Sequence, residues 1–283
     1  MVERLMTRFS KLHATGNDFL VTTSPVTAGH AVALCDRFTG VGADGVLLLA
    51  PGTDGADATM TLTNADGSIA EMSGNGARCL AWAARRAGMG TPTRLVVDTG
   101  GGRRTLDLTC DAAGNVVHAV CDMGPVTFEP ARVPVTDATG EDVAAEVDGR
   151  TYRGDAAGIG NPHWVIEVPD PAAVDLGRVG PVMEHDPRFP ARVNVEFVAA
   201  ETADRLRMRV WERGAGETQS CGTGACASVA VMHRRGRVGA HVTVAVPGGD
   251  LDVELGDTVR LGGPVAHVFD VDVDLDTLRG DRP

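Results

Sequence analysis

Two stretches of this 283-residue chain place a small nucleophile-type side chain directly before Gly-x-Gly-Ala. They are Ser73-Gly74-Asn75-Gly76-Ala77 and Cys221-Gly222-Thr223-Gly224-Ala225. Each runs into a stretch of helix-compatible residues, Arg78 to Ala84 in one copy and Cys226 to Met232 in the other. At a helix mouth the first N–H groups lack intrahelical partners and the helix dipole is positive, which favours a thiolate or a bound carboxylate. Two such mouths predict one site built from two halves. The amides of Gly74, Asn75, Gly222 and Thr223 would converge on a substrate carboxylate, with Ser73 and Cys221 on either side. A proton-transfer group on each side of one carbon is what inversion of a stereocentre requires: one removes the α-proton and the other delivers a proton to the opposite face. A thiol suits that task, because a helix mouth draws its pKa down from about 8.5 toward neutrality.

The elements that must carry these mouths repeat along the chain. Gly160-Asn161-Pro162-His163-Trp164-Val165 mirrors Gly16-Asn17-Asp18-Phe19-Leu20-Val21 at an offset of 144, and the two mouths lie 148 apart. Similar offsets in the same order point to duplication of a unit of about 120–150 residues. Strands are expected over residues 8–12, 19–21, 46–49, 60–63, 94–98, 104–110 and 116–123 in the first copy. In the second they fall over 194–198, 205–211 and the alternating tail from Val242 to Val273. A helix is expected over residues 29–38. Gly40-Val41-Gly42-Ala43-Asp44-Gly45 matches the dinucleotide fingerprint letter for letter, but a helix precedes it and a strand follows, so it reads as a turn into a strand. The fold class is α/β of the α+β type. Two pseudo-symmetric domains, each a mostly antiparallel sheet wrapped around a central helix, would enclose the site in the cleft between them, with Gly124-Pro125 as the break.

Composition removes several functions. The net charge of −12, with no offsetting basic stripe, excludes nucleic acid as a partner. No apolar run approaches the roughly 20 residues of a membrane span, and Met1 to Met6 lack the core of a signal peptide, so a cytoplasmic location is expected. Cys35, Cys79, Cys110, Cys121, Cys221 and Cys226 form no C-x-x-C pair. Neither a disulfide framework nor a metal site is expected, and all but Cys221 read as small buried hydrophobes. Lys11 is the single lysine and sits in an expected strand. A pyridoxal Schiff base and a P-loop are thereby excluded, and chemistry without a cofactor is expected.

Lys11 to Phe19, Gly42-Ala43-Asp44-Gly45, Asn64-Ala65-Asp66-Gly67-Ser68, Gly74 to Cys79, Gly160-Asn161-Pro162-His163, Glu212-Arg213-Gly214 and Cys221 to Cys226 together resemble the diaminopimelate epimerase family. The motifs follow the family's order from about residue 8 to 270. The resemblance implies a two-base epimerase, independent of pyridoxal, that interconverts LL- and meso-diaminopimelate on the route to lysine and cell-wall precursors. It makes Cys221 one of two catalytic thiols and has Asn17, Asn64, Asn161, Asn194, Glu212 and Arg213 hold the substrate, chiefly its distal amino-acid end. An arginine with several amides and a carboxylate suits a zwitterionic head group, which favours a diamino dicarboxylic acid over a smaller amino acid. The resemblance also sets His163 beside the site and implies a homodimer. It returns the last strand to the first domain, giving domains of 1–123 plus about 268–283, and 124–267.

One position departs from the pattern: the family carries cysteine where this chain has Ser73. A hydroxyl is far less acidic than a thiol, and a helix mouth alone does not make it a resting-state base. Three readings stand at this level. Ser73 serves as a weak second acid/base, or positions a water, in an epimerase. Alternatively one base suffices for a related racemase or a dehydratase/lyase that expels a β-substituent. Or the chain binds an amino acid without turning it over. The intact distal-end residues favour the first. Cys79, about a turn and a half into the helix, does not replace the missing thiol, and Ser73 is also a good helix N-cap.

Overall fold

The computed structural model describes residues 6–278. The chain divides into two compact units, Met1–Cys121 with Gly263–Pro283, and Asp122–Gly262. The divisions fall just before Gly124-Pro125 and before residue 268, so the lead-in to the final strand also packs in the first unit. The leader reading of Met1–Leu5 and the last residues of the returning segment, 279–283, lie outside the described residues.

The first unit runs β1 (Met6–Ala14), β2 (Asn17–Thr22), α1 (Ala28–Cys35), β3 (Gly45–Pro51), β4 (Ala58–Asn64), β5 (Ile69–Ala70), α2 (Gly74–Arg86), β6 (Arg94–Thr99), β7 (Gly102–Cys110) and β8 (Val116–Gly124). Most neighbours are antiparallel, but β2 with β3 and β4 with β6 are parallel. In the second unit, β9 (Val143–Val147), β10 (Arg150–Gly158), β11 (Pro162–Glu167), α3 (Leu176–Glu184), β12 (Asn194–Thr202), β13 (Arg205–Glu212), β14 (Gly216–Glu217), α4 (Gly222–Arg234), β15 (His241–Val246), β16 (Gly249–Leu255) and β17 (Val259–Pro264) follow. Its parallel joints are β11 with β12 and β13 with β15, the same places in the order. Finally β18 (Ala266–Asp274) pairs with β1 as β9 pairs with β10. The duplication read from two offsets therefore extends through the order of strand joints.

The central helices follow from composition. In α2 every residue from Gly74 to Trp82 is buried, and the charged Arg85 and Arg86 fall in the last turn, where the dipole favours cations. In α4 the run from Gly224 to Met232 is buried throughout, and His233 and Arg234 occupy the last turn. A helix buried on all sides belongs inside a wrap of other elements. Helix α2 packs on β1 to β4 and β7, and α4 on β10 to β13, β15 and β16. The opposite faces of the strands are covered as well. Phe9, Leu20 and Val46 pack with Ala31 and Leu34 of α1, and Trp164, Ile166, Val195 and Phe197 with Leu176, Val179 and Met183 of α3. Side-chain alternation then directs Phe19, Leu47, His163 and Glu196 toward the central helices.

Several local expectations are corrected. Helix α1 stops at Cys35 rather than Phe38, because the Asp36 carboxylate accepts the N–H groups of Phe38 and Thr39 at 2.8 and 2.6 Å. Helix α3 was not expected: Gly177, Gly180 and Pro181 disguise it. A Cβ on Gly180 would lie 2.4 Å from the Trp211 ring, so the glycine is required by packing. Strands β9 and β10 were likewise unexpected, and Cys110 is only half-buried, its thiol 3.4 Å from the Pro92 carbonyl. The Gly40–Gly45 stretch is the loop from α1 into β3, and a Cβ on Gly40 would meet the Ala33 carbonyl at 2.1 Å.

Candidate active site

Ser73 and Cys221 are the N-caps of α2 and α4. Both have extended backbones, with φ/ψ of −140°/120° and −116°/108°. Ser73 Oγ accepts the Gly76 N–H at 3.0 Å, and Cys221 Sγ accepts the Gly224 N–H at 3.3 Å. The fourth amides, of Ala77 and Ala225, bond to the cap carbonyls. The first two amides of each helix belong to Gly74 and Asn75, and to Gly222 and Thr223, the four assigned by sequence to a carboxylate.

In the first unit these groups sit on a polar chain. Asn75 Nδ2 donates to Asn17 Oδ1 at 3.1 Å, and Asn17 Nδ2 to Asp44 Oδ2 at 2.6 Å. Arg78, wholly buried in α2, donates to Asn75 Oδ1 at 2.7 Å and Thr15 Oγ1 at 3.3 Å. Arg37 bridges Asp18 and Asp44, while Lys11 pairs with Asp18 at 2.5 Å and donates to the Gly42 carbonyl. Burial works against the Asp18 charge, but the bonds from Arg37 and Lys11 outweigh it and hold the carboxyl below its usual range. The single lysine is thus a structural cation. Asn64 lies apart from this chain and donates to Ser68 Oγ at 3.0 Å.

In the second unit, Cys221 Sγ lies 3.5 Å from Thr223 Oγ1, and Asn161 Nδ2 donates to the same hydroxyl at 3.4 Å. His163 Nε2 meets Asn161 Oδ1 at 2.9 Å, and its Nδ1 meets Glu196 Oε1 at 2.6 Å. Glu212 accepts a hydrogen bond from Thr218 Oγ1. Burial first, then the charges of Glu212 and Glu196, push the Cys221 thiol well above its ordinary value. Burial also raises the Glu212 carboxyl. The resting cap is therefore a thiol near a carboxyl of weakened acidity, the reverse of the thiolate expected from the helix mouth alone. Removing solvent outweighs the dipole here.

Asn194 is buried with both ends of its amide engaged: Nδ2 donates to the Pro162 carbonyl at 2.9 Å, and Oδ1 accepts the Arg213 N–H at 2.9 Å. It braces the Glu212-Arg213 turn. Arg213 itself is exposed and donates to the Ala191 carbonyl at 2.9 Å, and no carboxylate pairs with it among the described residues. Strand register equates the two halves. Asn64 stands opposite Gly45, and the β12–β13 ladder, continued by one residue, sets Glu212 opposite Asn194. Cys79 is wholly buried in α2, and burial pushes its thiol up to about 12.

Sequence reasoning missed Glu196, Thr218 and the bracing role of Asp44. A signal for the first existed. Glu196 is an acidic residue inside Val195 to Val198, a run buried on both faces, where a lone carboxylate is costly.

A sequence profile described as diaminopimelate epimerase matches residues 9–129 and 156–265. A diaminopimelate epimerase of Synechococcus elongatus is 41% identical over 95% of this chain and 98% of its own length. One from Pseudomonas entomophila is 40% identical over 96% of this chain and all of its own length. Among solved structures, a hydroxyproline epimerase from Agrobacterium vitis with bound trans-4-hydroxy-L-proline superposes with a TM-score of 0.71 at 21% identity. It covers 96% of this chain and 91% of its own. A PhzF-family phenazine biosynthesis protein from Bacillus anthracis gives 0.65 at 13% identity, over 95% and 99% of the two chains. These two show a shared fold.

Proposed function

We propose that this chain, which belongs to the diaminopimelate epimerase family, inverts the α-carbon of diaminopimelate between the LL and meso forms without a cofactor. The observation that carries the reading is the paired helix mouths, capped by Ser73 and Cys221 in equivalent places of a repeated fold. In this reading the two mouths serve one substrate. The amides of Gly74, Asn75, Gly222 and Thr223 take the carboxylate next to the reacting carbon, where charge develops as the carbanion forms. Asn17, Asn64, Asn161, Asn194, Glu212 and Arg213 form the rest of the substrate shell. Arg213 supplies the guanidinium for the distal carboxylate, with Asn194 fixing its backbone.

Cys221 and Ser73 are the two proton-transfer groups. The Cys221 proton passes to Glu212, which the raised Glu212 carboxyl favours, and the thiolate removes the α-proton on its face. Ser73 protonates the other face directly or through a water, and the direction reverses for the other isomer. As the weaker acid and base, Ser73 limits the rate. We place the enzyme in the cytoplasm as a homodimer. The exposed apolar side chains Met6, Val268 and Phe269 on β1 and β18 support a self-association surface. Among the described residues no helix is long and apolar enough to cross a membrane.

Incubating each isomer with the purified chain and resolving the products by chiral chromatography tests the reading: each isomer should yield the other. A one-base elimination is the second reading, favoured by Ser73 alone, and would instead release a keto acid from β-substituted amino acids.

A further inference from the structure

We infer that Glu196 is a positioning residue that keeps a proton on each ring nitrogen of His163 beneath the Cys221 helix mouth. Its catalytic consequence rests on the epimerase reading, whereas its geometry stands within the second unit alone.

Glu196 on β12 and His163 on β11 are both wholly buried, with Glu196 Oε1 2.6 Å from His163 Nδ1. The other ring nitrogen faces Asn161 Oδ1 at 2.9 Å, the amide nitrogen of Asn161 being turned toward Thr223. A ring flanked by an oxygen at each nitrogen satisfies both as a donor at both when Glu196 is ionised. The second oxygen of Glu196, Oε2, is buried with no hydrogen-bond partner among the described residues, which leaves the imidazole to balance that carboxylate. A buried charge is tolerated when paired and is costly alone, which favours a net-neutral Glu196–His163 pair. A Cβ on Gly224 would lie 2.6 Å from Glu196 Oε1, so the carboxylate presses on the first turn of α4, where the glycine admits it.

The repeat supplies the decisive comparison. Phe19 pairs with Gly45, and His163 with Asn194, across equivalent parallel ladders. Two residues further along, Leu47 corresponds to Glu196. A Cβ on Gly76 would touch Leu47 at 3.3 Å, as one on Gly224 would touch Glu196. Beneath Ser73 the fold is filled by phenylalanine and leucine, and beneath Cys221 by histidine and glutamate. The architecture does not need the polar pair; the polar pair accompanies the thiol. Besides Glu196, the charge of His163 bears on Glu212 of β13, Cys221 at the mouth of α4 feels both carboxylates, and Ala157 faces His163 from β10. An imidazolium beside Glu196 offsets part of the charge with which that carboxylate disfavours the Cys221 thiolate, and so eases proton exchange between Cys221 and Glu212. The same ring orients Asn161 and, through it, Thr223 beside the thiol.

Nitrogen-15 NMR of the full chain labelled at histidine, with the His163 signals identified by their loss in His163→Phe, reads the proton count without substrate. Two protonated nitrogens at neutral pH, reduced to one in Glu196→Gln, are expected. A singly protonated ring in the parent, or one unchanged in Glu196→Gln, overturns the inference. The double variant Glu196→Leu/His163→Phe imports the first unit's pair. It should fold with a Tm no lower than the parent, yet exchange the substrate α-proton at least tenfold more slowly with little change in KM. Full turnover in that variant overturns the inference too. Should it fail to fold, the NMR result on Glu196→Gln decides. A parent inactive on both diaminopimelate isomers would sink the epimerase reading and leave the proton count to be judged by itself.

Discussion

Glu212 lies close enough to the Cys221 thiol at the mouth of α4 that its charge, with burial, disfavours the thiolate, while its carboxylate accepts the Thr218 hydroxyl. Glu212→Gln should therefore separate two properties that usually travel together. With one negative charge gone, the thiol titrates lower, and iodoacetamide should modify Cys221 faster at pH 8. With the proton acceptor gone, epimerisation should fall by about a hundredfold or more. Alkylation and turnover falling together would contradict this pairing.

Ser73 performs a capping task that any small polar residue can do and a proton-transfer task for which it is poorly suited. Ser73→Cys keeps the cap position and restores an acidic group, so turnover should rise by about tenfold to a hundredfold. Ser73→Ala should lower stability by about 1 kcal/mol through loss of the bond to Gly76, and should abolish inversion. Denaturant melts and chiral product analysis on the two variants check both statements.

Thiol reactivity should follow burial. Burial pushes the Cys35 and Cys79 thiols up to about 12, whereas Cys110 is half-exposed. Peptide mapping after brief labelling at pH 8 should find Cys110 modified first and Cys35 and Cys79 untouched until the chain unfolds. Because the Cys221 thiol also titrates high, its labelling rate should keep climbing above pH 9 rather than level off.

Asp270 ties β18 to β1. Hydrogen bonds from Ser10, then His267 and Arg8, outweigh a small burial effect and hold its carboxyl down to about 2. An unfolded aspartate titrates at about 3.9, so the stabilisation is complete above roughly pH 4 and is lost as pH falls toward 2. Asp270→Asn should lower the Tm at pH 7 by a few degrees and have little effect near pH 2. Calorimetry across that range would show the two curves converging; a constant gap would contradict it.

The repeat, the two caps and most strands were legible because each rests on local pattern: Gly-x-Gly-Ala after a small polar residue, and alternation between turns. What was hidden depends on contacts between segments distant in sequence. Helix α3 was obscured because Gly180 is dictated by the Trp211 ring, not by helix propensity. The lowered thiol pKa expected at Cys221 is reversed by burial and by Glu212 and Glu196, which arrive from β13 and β12. No spacing around the cysteine reports them. Asn194 shows the same limit. Its type suits a substrate ligand, and no spacing reports that the same amide also holds the Pro162 carbonyl and the Arg213 N–H.

The central claim is proton transfer on both faces of one α-carbon, and deuterium exchange tests it most directly. LL- and meso-diaminopimelate, incubated separately with the chain in deuterated buffer, should each acquire deuterium at the reacting carbon and appear as the other isomer. Exchange with retained configuration, or no exchange from either isomer, would contradict the account.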